Sequence, residues 1–558
     1  MCGIWTFIKL AKEQNLDISK LFQDFWNIKM RGPDNSYLEN YNNVWVGFHR
    51  LAIMDLSFAS NQPYVLQQKD KTIVFICNGE IYNFKHLIEK YDLPIQNNSD
   101  CMTIPELYLK YTCQNKLDKF LELFENEIKG EFAFVLFEFD KLQNLRMIMA
   151  GRDQIGIRPL YYHDVNENSN GIIFSSEVKG TNNFKDKIEE FPPGTIKIFH
   201  GNNFLEKKTF EFKLIYNIEK TLNSEEIFCT KIKDSIVNAV KLRLDADRPL
   251  AFLLSGGVDS SLVAGISAKI LGKPIRTFCC GMNEGTDLFF ARKVANHIGS
   301  IHTEVFFTPE EGLAAINDVI WTIESWDTTT VRASVGQYLV SKYIGQNTDA
   351  KVVLVGEGPD EVCSSYLFNW YAPDDSNSIH NTAKEYVDKI HYYDGRRADR
   401  CVSRWGLEGR VPLLDPDFIS EYWKIPSEQR HPKFKNMEKW WLRKAFEGEN
   451  IIPDEVLWRK KEAFSDGVSS KEKSWFQIIQ EYIEPLVSNE EMLNAKLKYP
   501  FCTPQTKEAY YYRKLFCDFF GENRQTILPN YWQPKWDIKG NEITEYVDPS
   551  ARTLKIYN

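Results

Sequence analysis

The stretch Ser255-Gly256-Gly257-Val258-Asp259-Ser260 constrains this chain more than any other. It follows an unbroken apolar run, Leu250-Ala251-Phe252-Leu253-Leu254, and precedes a small-residue apolar segment, Leu262-Val263-Ala264-Gly265-Ile266. That order predicts a buried parallel strand, a tight loop and the N-terminus of a helix. Two glycines let the backbone approach a ligand closely. Free N–H groups and the positive end of the helix dipole then suit pyrophosphate. Asp259 would repel phosphate unless Mg²⁺ lay between them. The loop therefore points to ATP chemistry that handles pyrophosphate. The plainer alternative is a strand-to-helix turn, with Gly for tightness and Ser for capping.

At 558 residues the chain is too long for one core and long enough for two to four domains. Its 43% hydrophobic and 26% charged content is that of a globular protein. A formal charge of −9 argues against nucleic acid or an anionic membrane as the main partner. No apolar run is long enough to span a bilayer, and the N-terminus lacks a signal-peptide pattern, so a cytoplasmic protein is expected. The 11 cysteines are scattered, form no C-x₂-C pair and suggest neither a zinc site nor a disulfide framework.

The pattern changes part-way along. Residues 1 to about 200 carry short apolar or alternating runs, among them Val44 to Phe48, Thr72 to Ile76, Phe132 to Phe137 and Ile172 to Phe174, with helical stretches such as Ile104 to Tyr111 between them. These predict a layered α+β domain, placed at 2–205, with sheets inside and helices outside. A polar, irregular segment at 206–225 is expected to be a linker. From 226 to 530 long amphipathic helices alternate with short strands, Leu250 to Leu254, Ile275 to Cys280 and Lys351 to Val355, which is α/β grammar with a mostly parallel sheet. Ligands of such sheets sit beyond the carboxyl ends of the strands, so the loops after Leu254, Cys280 and Val355 should face one crevice. Residues 531–558 are polar and Pro-containing and read as a loosely held tail.

The first half offers its own chemistry. If Met1 is removed, Cys2 supplies a thiol nucleophile and, in its own α-amine, a base near neutral pH. Arg50, at the head of Leu51-Ala52-Ile53-Met54, is a clamp for a carboxylate. Asn78 and Gly79, followed by Glu80, could form an oxyanion hole, although Asn-Gly between apolar runs is also the commonest hairpin turn. Asp100 could hold an α-ammonium group, or be a solvated loop acid. Together these describe a site that hydrolyses the side-chain amide of glutamine.

The second half adds Val355-Gly356-Glu357-Gly358-Pro359-Asp360-Glu361 after a strand, suited to Mg²⁺ and an acidic mechanism or, alternatively, an exposed acidic turn. Thr329-Thr330-Val331-Arg332 brings hydroxyls and a guanidinium that can hold phosphate. Trp458-Arg459-Lys460-Lys461-Glu462 brings cations, one of which could reach a leaving pyrophosphate.

The first half resembles class II glutamine amidotransferase domains of the N-terminal-nucleophile fold, on Met1-Cys2-Gly3-Ile4, Arg31-Gly32-Pro33-Asp34, His49-Arg50-Leu51, Asn78-Gly79-Glu80-Ile81-Tyr82-Asn83, Ser99-Asp100 and Gly151-Arg152-Asp153. The second half resembles the PP-loop synthetase domain of the glutamine-dependent asparagine synthetase family, on stretches such as Arg292 to His297, Trp405 to Pro412, Phe464 to Val468, Thr506 to Tyr510 and Asp548 to Arg552. The resemblance implies Cys2 as nucleophile, Asn78 and Gly79 as oxyanion hole, and Arg50, Glu80 and Asp100 with Leu51 to Met54 around the glutamine. It implies nucleotide contacts at Leu254, Cys280, Val355 and Gly356, and a pyrophosphate loop of Ser255, Gly256, Gly257, Asp259 and Ser260. It further implies Mg²⁺ ligands at Asp259 and Asp360, phosphate contacts from Thr329, Arg332 and Lys461, and Glu357 tied to the acyl-adenylate. The implied reaction joins L-aspartate, L-glutamine and ATP to give L-asparagine, L-glutamate, AMP and diphosphate, in a homodimer.

The chain departs from the family at one loop. Val355 lacks a hydroxyl that could bond the nucleotide, Pro359 removes an N–H, and Ser364 and Ser365 stand where glycines are usual, so any positive φ there is costly. Altered ATP affinity rather than lost activity is expected. A related synthetase acting on another carboxylate, or a non-enzymatic relic, remain as alternatives.

Overall fold

The computed structural model describes residues 1–10, 18–214, 224–282, 285–375, 377–461 and 473–549. The first half is built on two six-stranded antiparallel sheets. One runs in the order Glu189–Glu190, Tyr161–Tyr162, Gly171–Ser175, Gly3–Lys9, Val44–Arg50, Asn35–Tyr41. The other runs Glu206–Glu211, Thr195–His200, Leu145–Arg152, Gly130–Asp140, Lys71–Ile81, Tyr64–Gln68. Alternation along the strands explains the layering. Val74 and Ile76 of Lys71–Ile81 point inward with Ile4, Val46, Phe48, Val135 and Ala150 to fill the space between the sheets. Phe75 and Cys77 of the same strand point outward to Leu87, Leu107 and Phe120, on helices Phe84–Tyr91, Thr103–Thr112 and Leu117–Asn126. The expected α+β layers and the expected strands are present.

The second half holds a five-stranded parallel sheet in the order Ile301–Phe306, Arg276–Gly281, Leu250–Leu253, Val352–Leu354, Glu408–Arg410. Numbered by sequence within this sheet the order is 3-2-1-4-5, so the winding reverses between Leu250–Leu253 and Val352–Leu354. A crevice opens at such a reversal, beyond the carboxyl ends of the two strands. The loops at 254–260 and 355–361 flank it.

Two expected boundaries move. Glu206–Glu211 is a strand paired with Thr195–His200, so the first domain continues past 205; 215–223 of the expected linker lie outside the described residues. The expected loose tail is packed as far as it is described. Its aromatic residues supply the reason: Tyr531 sits edge-on to Trp326 at 4.6 Å, and Trp532 lies against Tyr366 at 5.2 Å. The Trp532 N–H also donates to Asp327 at 2.7 Å. Residues 550–558, and Ser550 to Arg552 of the family-like ending with them, lie outside the described residues, as do Glu462 and Phe464 to Val468.

The halves meet over buried ion pairs. Arg31 pairs with Asp399 at 2.8 Å, and Arg243 joins Glu131 and Asp415 at 2.8 Å each. Arg158 pairs with Glu131 at 3.0 Å and donates to the Gly409 carbonyl at 2.9 Å. Such pairs add little net stability once desolvation is counted, but a shifted domain would strand a charge without its partner. They therefore penalise other dockings.

Candidate active sites

Gly3–Lys9 begins at the edge of the first site and carries Cys2 just ahead of it. The Cys2 N–H donates to Asn78 Oδ1 at 2.8 Å, and its thiol faces the Leu51 carbonyl at 3.7 Å. Burial pushes the Cys2 thiol up to about 11, so it is protonated at neutral pH and needs a base to become a nucleophile.

Asn78 and Gly79 lie inside the strand Lys71–Ile81, not in a hairpin turn. The neighbouring strand Tyr64–Gln68 pairs only as far as Phe75, which leaves the edge from Ile76 to Ile81 open. Alternate N–H groups of a strand point the same way. On this edge the Cys77 N–H meets Gln62 at 2.6 Å and the Ile81 N–H meets Asp100 at 2.7 Å. Gly79 lies between them and points to the same side. Its opposite residue, Phe132, turns its N–H and carbonyl to Asp153 instead, at 3.2 and 2.8 Å. The Asn78 Nδ2, fully buried, has no partner. Two donors therefore converge beside Cys2. A Cβ on Gly79 would fall 2.2 Å from the Glu131 carbonyl, so only glycine fits.

Glu80 and Asp100 lie together at the same edge. Burial raises both carboxyls, Asp100 to about 6; the nearby Glu408 carboxylate raises both further, and Asp100 also raises Glu80. Arg410 approaches Glu80 at 3.3 Å. Two desolvated acids of this kind suit an ammonium group. Arg50 is bonded within the loop that follows it. It donates to the Ser57 carbonyl at 2.9 Å, Asn61 at 2.6 Å, the Met54 carbonyl at 3.3 Å and the Asp55 carbonyl, so it curls the loop from Leu51 to Asn61. The second half braces that loop: Arg248 donates to the Ala52 carbonyl at 3.0 Å and the Asp247 N–H to the Ile53 carbonyl at 3.1 Å.

The crevice of the parallel sheet is an open cleft. Leu254, Ser255, Gly257, Asp259, Ser260, Cys280, Gly356, Glu357, Asp360 and Lys461 all line it, as expected. Gly257 N-caps the helix Val258–Leu271, which sets that helix's positive end toward the cleft. Ser255 and Ser260 hydroxyls join at 3.0 Å and tie the loop closed. Lys439, which no local pattern singled out, bridges Asp259 and Asp360, the latter at 2.6 Å, and Lys461 also contacts Asp360. Burial opposes the charge on Asp360, but Lys439 and Lys461 outweigh it and hold the carboxyl far below its usual range. Burial leaves Asp259 raised, and its buried Oδ1 has no partner. Glu357, raised by burial, accepts from Gln337 at 3.1 Å and from Arg397 at 3.2 Å. Arg397 also pairs with Asp394 at 3.0 Å.

Comparison with known proteins gives the family of both halves. A glutamine amidotransferase domain family matches residues 1–225, and the asparagine synthase family matches 231–385 and 369–546. The glutamine-hydrolysing asparagine synthetase of Homo sapiens is 39% identical over 586 residues, covering 100% of this chain and 99% of its own length. That of Gallus gallus is 38% identical over 587 residues, with the same coverage of 100% and 99%. The chain belongs to the glutamine-hydrolysing asparagine synthetases.

Against that family three contacts are placed differently from expectation. Arg332 is buried away from the cleft, paired with Glu508 at 2.6 Å and Asp548 at 2.9 Å, so its fork is used by carboxylates of the chain. Thr329, three residues earlier, is likewise not part of the cleft wall. Val355 is buried, with its N–H bonded to the Arg410 carbonyl at 3.0 Å, and is not among the residues that line the cleft. Gly256 is needed for packing: at φ +75° it presses so close to the helix Thr286–Ile298 that a Cβ would meet the Ala291 nitrogen at 2.5 Å.

The unusual loop also resolves residue by residue within the asparagine synthetase fold. Pro359 is the first residue of the helix Pro359–Val362, where the missing N–H has no bond to lose. Ser364 does take the costly conformation, at φ +53°. Ser365 gains a contact: its hydroxyl donates to Asp360 at 2.5 Å.

Proposed function

We propose that the chain makes asparagine with Cys2 as the glutaminase nucleophile and the cleft beyond Leu254 and Val355 as the site where aspartate is activated. The observation that carries the first part is the Asn78 side chain, which holds the Cys2 nitrogen with its oxygen and leaves its buried Nδ2 unpartnered. After removal of Met1 the Cys2 α-amine takes the thiol proton, since burial disfavours a free thiolate. The sulfur attacks the glutamine amide carbon. Asn78 Nδ2 and the Gly79 N–H take the developing oxyanion. The α-amine returns its proton to the departing ammonia, and water clears the thioester. Glu80 and Asp100 hold the glutamine ammonium, while Arg50 shapes the loop from Leu51 to Met54 around it.

In the second site the aspartate side-chain carboxylate attacks the α-phosphorus of ATP, which gives β-aspartyl-AMP and diphosphate. Ammonia then displaces AMP. The N-terminus of Val258–Leu271, with Ser255, Gly257 and Ser260, receives the β- and γ-phosphates, and Lys461 offsets charge on the leaving diphosphate. Glu357, Asp394 and Arg397 line the same cleft and would hold the amino-acid substrate beside the nucleotide. Asp259 and Asp360 fit Mg²⁺: both reach one ammonium, and Asp259 Oδ1 is buried without a partner. Mg²⁺ would supply neutralising charge for the phosphates there. Among the described residues no group of three or more His, Cys, Asp or Glu could hold a metal, which suits a cation completed by the nucleotide's own oxygens.

Ammonium is not a nucleophile, so neutral ammonia needs a covered route. The strand Glu408–Arg410 is the natural seam. Arg410 reaches Glu80 in the first site, and its carbonyl accepts from Val355 at the start of the second. The family resemblance supports a homodimer. No described helix is long and apolar enough to cross a membrane, and a cytoplasmic location fits the reaction. The test is product analysis with glutamine, aspartate and MgATP. Asparagine, AMP and diphosphate in equal amounts support the assignment. ADP and phosphate, or diphosphate release with an acid other than aspartate, would refute it.

A further inference from the structure

The two carboxylates expected to meet the metal already share a cation. Lys439 is 3% exposed and lies beneath Asp259 and Asp360, touching both. It does not reach them by chance of a long flexible side chain. Lys439 stands at φ +56° at the start of the helix Trp440–Ala445, an unfavourable backbone state for a lysine that the surroundings must enforce. The preceding residue, Glu438, is pinned by Arg443 at 2.8 Å and by the Lys461 N–H at 2.8 Å. Arg443 also donates to the Glu438 carbonyl at 2.9 Å. One short network thus fixes Lys439 and the Lys461 backbone together.

The charges at this point cancel: Asp259 and Asp360 against Lys439 and Lys461. A bare divalent cation arriving there gains little attraction and meets an ammonium that cannot leave for water. MgATP differs, because its phosphates bring negative charge that both lysines can face once the metal takes the carboxylates. We propose that Lys439 is the resident counter-cation of the nucleotide-free site, holding Asp259 and Asp360 in place and excluding free divalent metal until the nucleotide's phosphates arrive. This rests on the assignment of Asp259 and Asp360 as the metal-facing pair.

The experiment is Mn²⁺ titration of the full chain without nucleotide, followed by the electron paramagnetic resonance of free Mn²⁺. Wild type should bind Mn²⁺ only weakly when no nucleotide is present. Lys439→Met should bind Mn²⁺ without nucleotide at least about tenfold more tightly than wild type. Lys439→Arg, which keeps the charge, should behave as wild type. Asp259→Asn added to Lys439→Met should abolish the new binding. Wild type that binds Mn²⁺ tightly without nucleotide would overturn the inference, even if Lys439→Met failed to fold. So would a folded Lys439→Met no tighter than wild type. The underlying assignment fails separately: Asp259→Asn in an otherwise wild-type chain would then leave MgATP binding unchanged.

Discussion

Ser364 carries a backbone cost that a glycine would avoid. It is buried, sits at φ +53°, and its hydroxyl has no partner. A side chain in the left-handed region costs roughly 1–2 kcal/mol. An unsatisfied buried hydroxyl costs roughly 1–3 kcal/mol more. Glycine gives back about 0.5–1 kcal/mol through the extra freedom of its unfolded chain. Ser364→Gly should therefore stabilise the synthetase half by about 1–4.5 kcal/mol. Ser364→Ala relieves only the hydroxyl, so it should gain less than the glycine variant by about 0.5–1 kcal/mol. Thermal unfolding followed by tryptophan fluorescence reads the order glycine above alanine above serine, with a rise of about 2 °C or more for glycine. MgATP affinity should stay put, since Ser364 is not in the cleft wall. A glycine variant that melts at or below wild type, or below alanine, would refute the reasoning.

Two further outcomes follow from the geometry. Asp100 has its carboxyl raised to about 6 by burial, so it takes a proton as pH falls through that value and loses its hold on the glutamine ammonium; kcat/KM for glutamine should drop from pH 7 to 5.5 through this group, and pH profiles should show that Asp100→Asn is low throughout and lacks the step. Arg332→Met strands the buried Glu508 carboxylate, so it should cost about 3–5 kcal/mol of stability in a melting experiment, while KM for ATP in the folded fraction changes less than about twofold.

What could be read from the sequence was local. An apolar run followed by two glycines, a Ser and an Asp predicts a strand, loop and helix because each residue acts on its own backbone. Asn78-Gly79 was ambiguous for the same reason: a hairpin turn and a strand pressed against its neighbour both demand glycine, and only the pairing with Phe132 separates them. Lys439 carries no such mark. It lies 180 residues from Asp259, and the helix Trp440–Ala445 must dock before the two can meet. Arg332 misled in the opposite sense. A guanidinium beside threonines suits phosphate, but Glu508 and Asp548, remote in sequence, take its donors first. The tail was misjudged on composition, since its polarity hid Tyr531 and Trp532, whose rings pack on Trp326 and Tyr366.

The central claim is that one chain carries two chemically separate sites, with ammonia made at Cys2 and used beyond Val355. Its most direct measurement is asparagine formation by Cys2→Ala, with glutamine or with ammonia as the nitrogen source and MgATP and aspartate present. The variant removes only the thiol, whose contact with the Leu51 carbonyl is a long one at 3.7 Å, so the fold should hold. Glutamine-driven synthesis should vanish while ammonia-driven synthesis persists near the wild-type rate. Loss of both activities in a folded variant, or survival of the glutamine-driven one, would contradict the account.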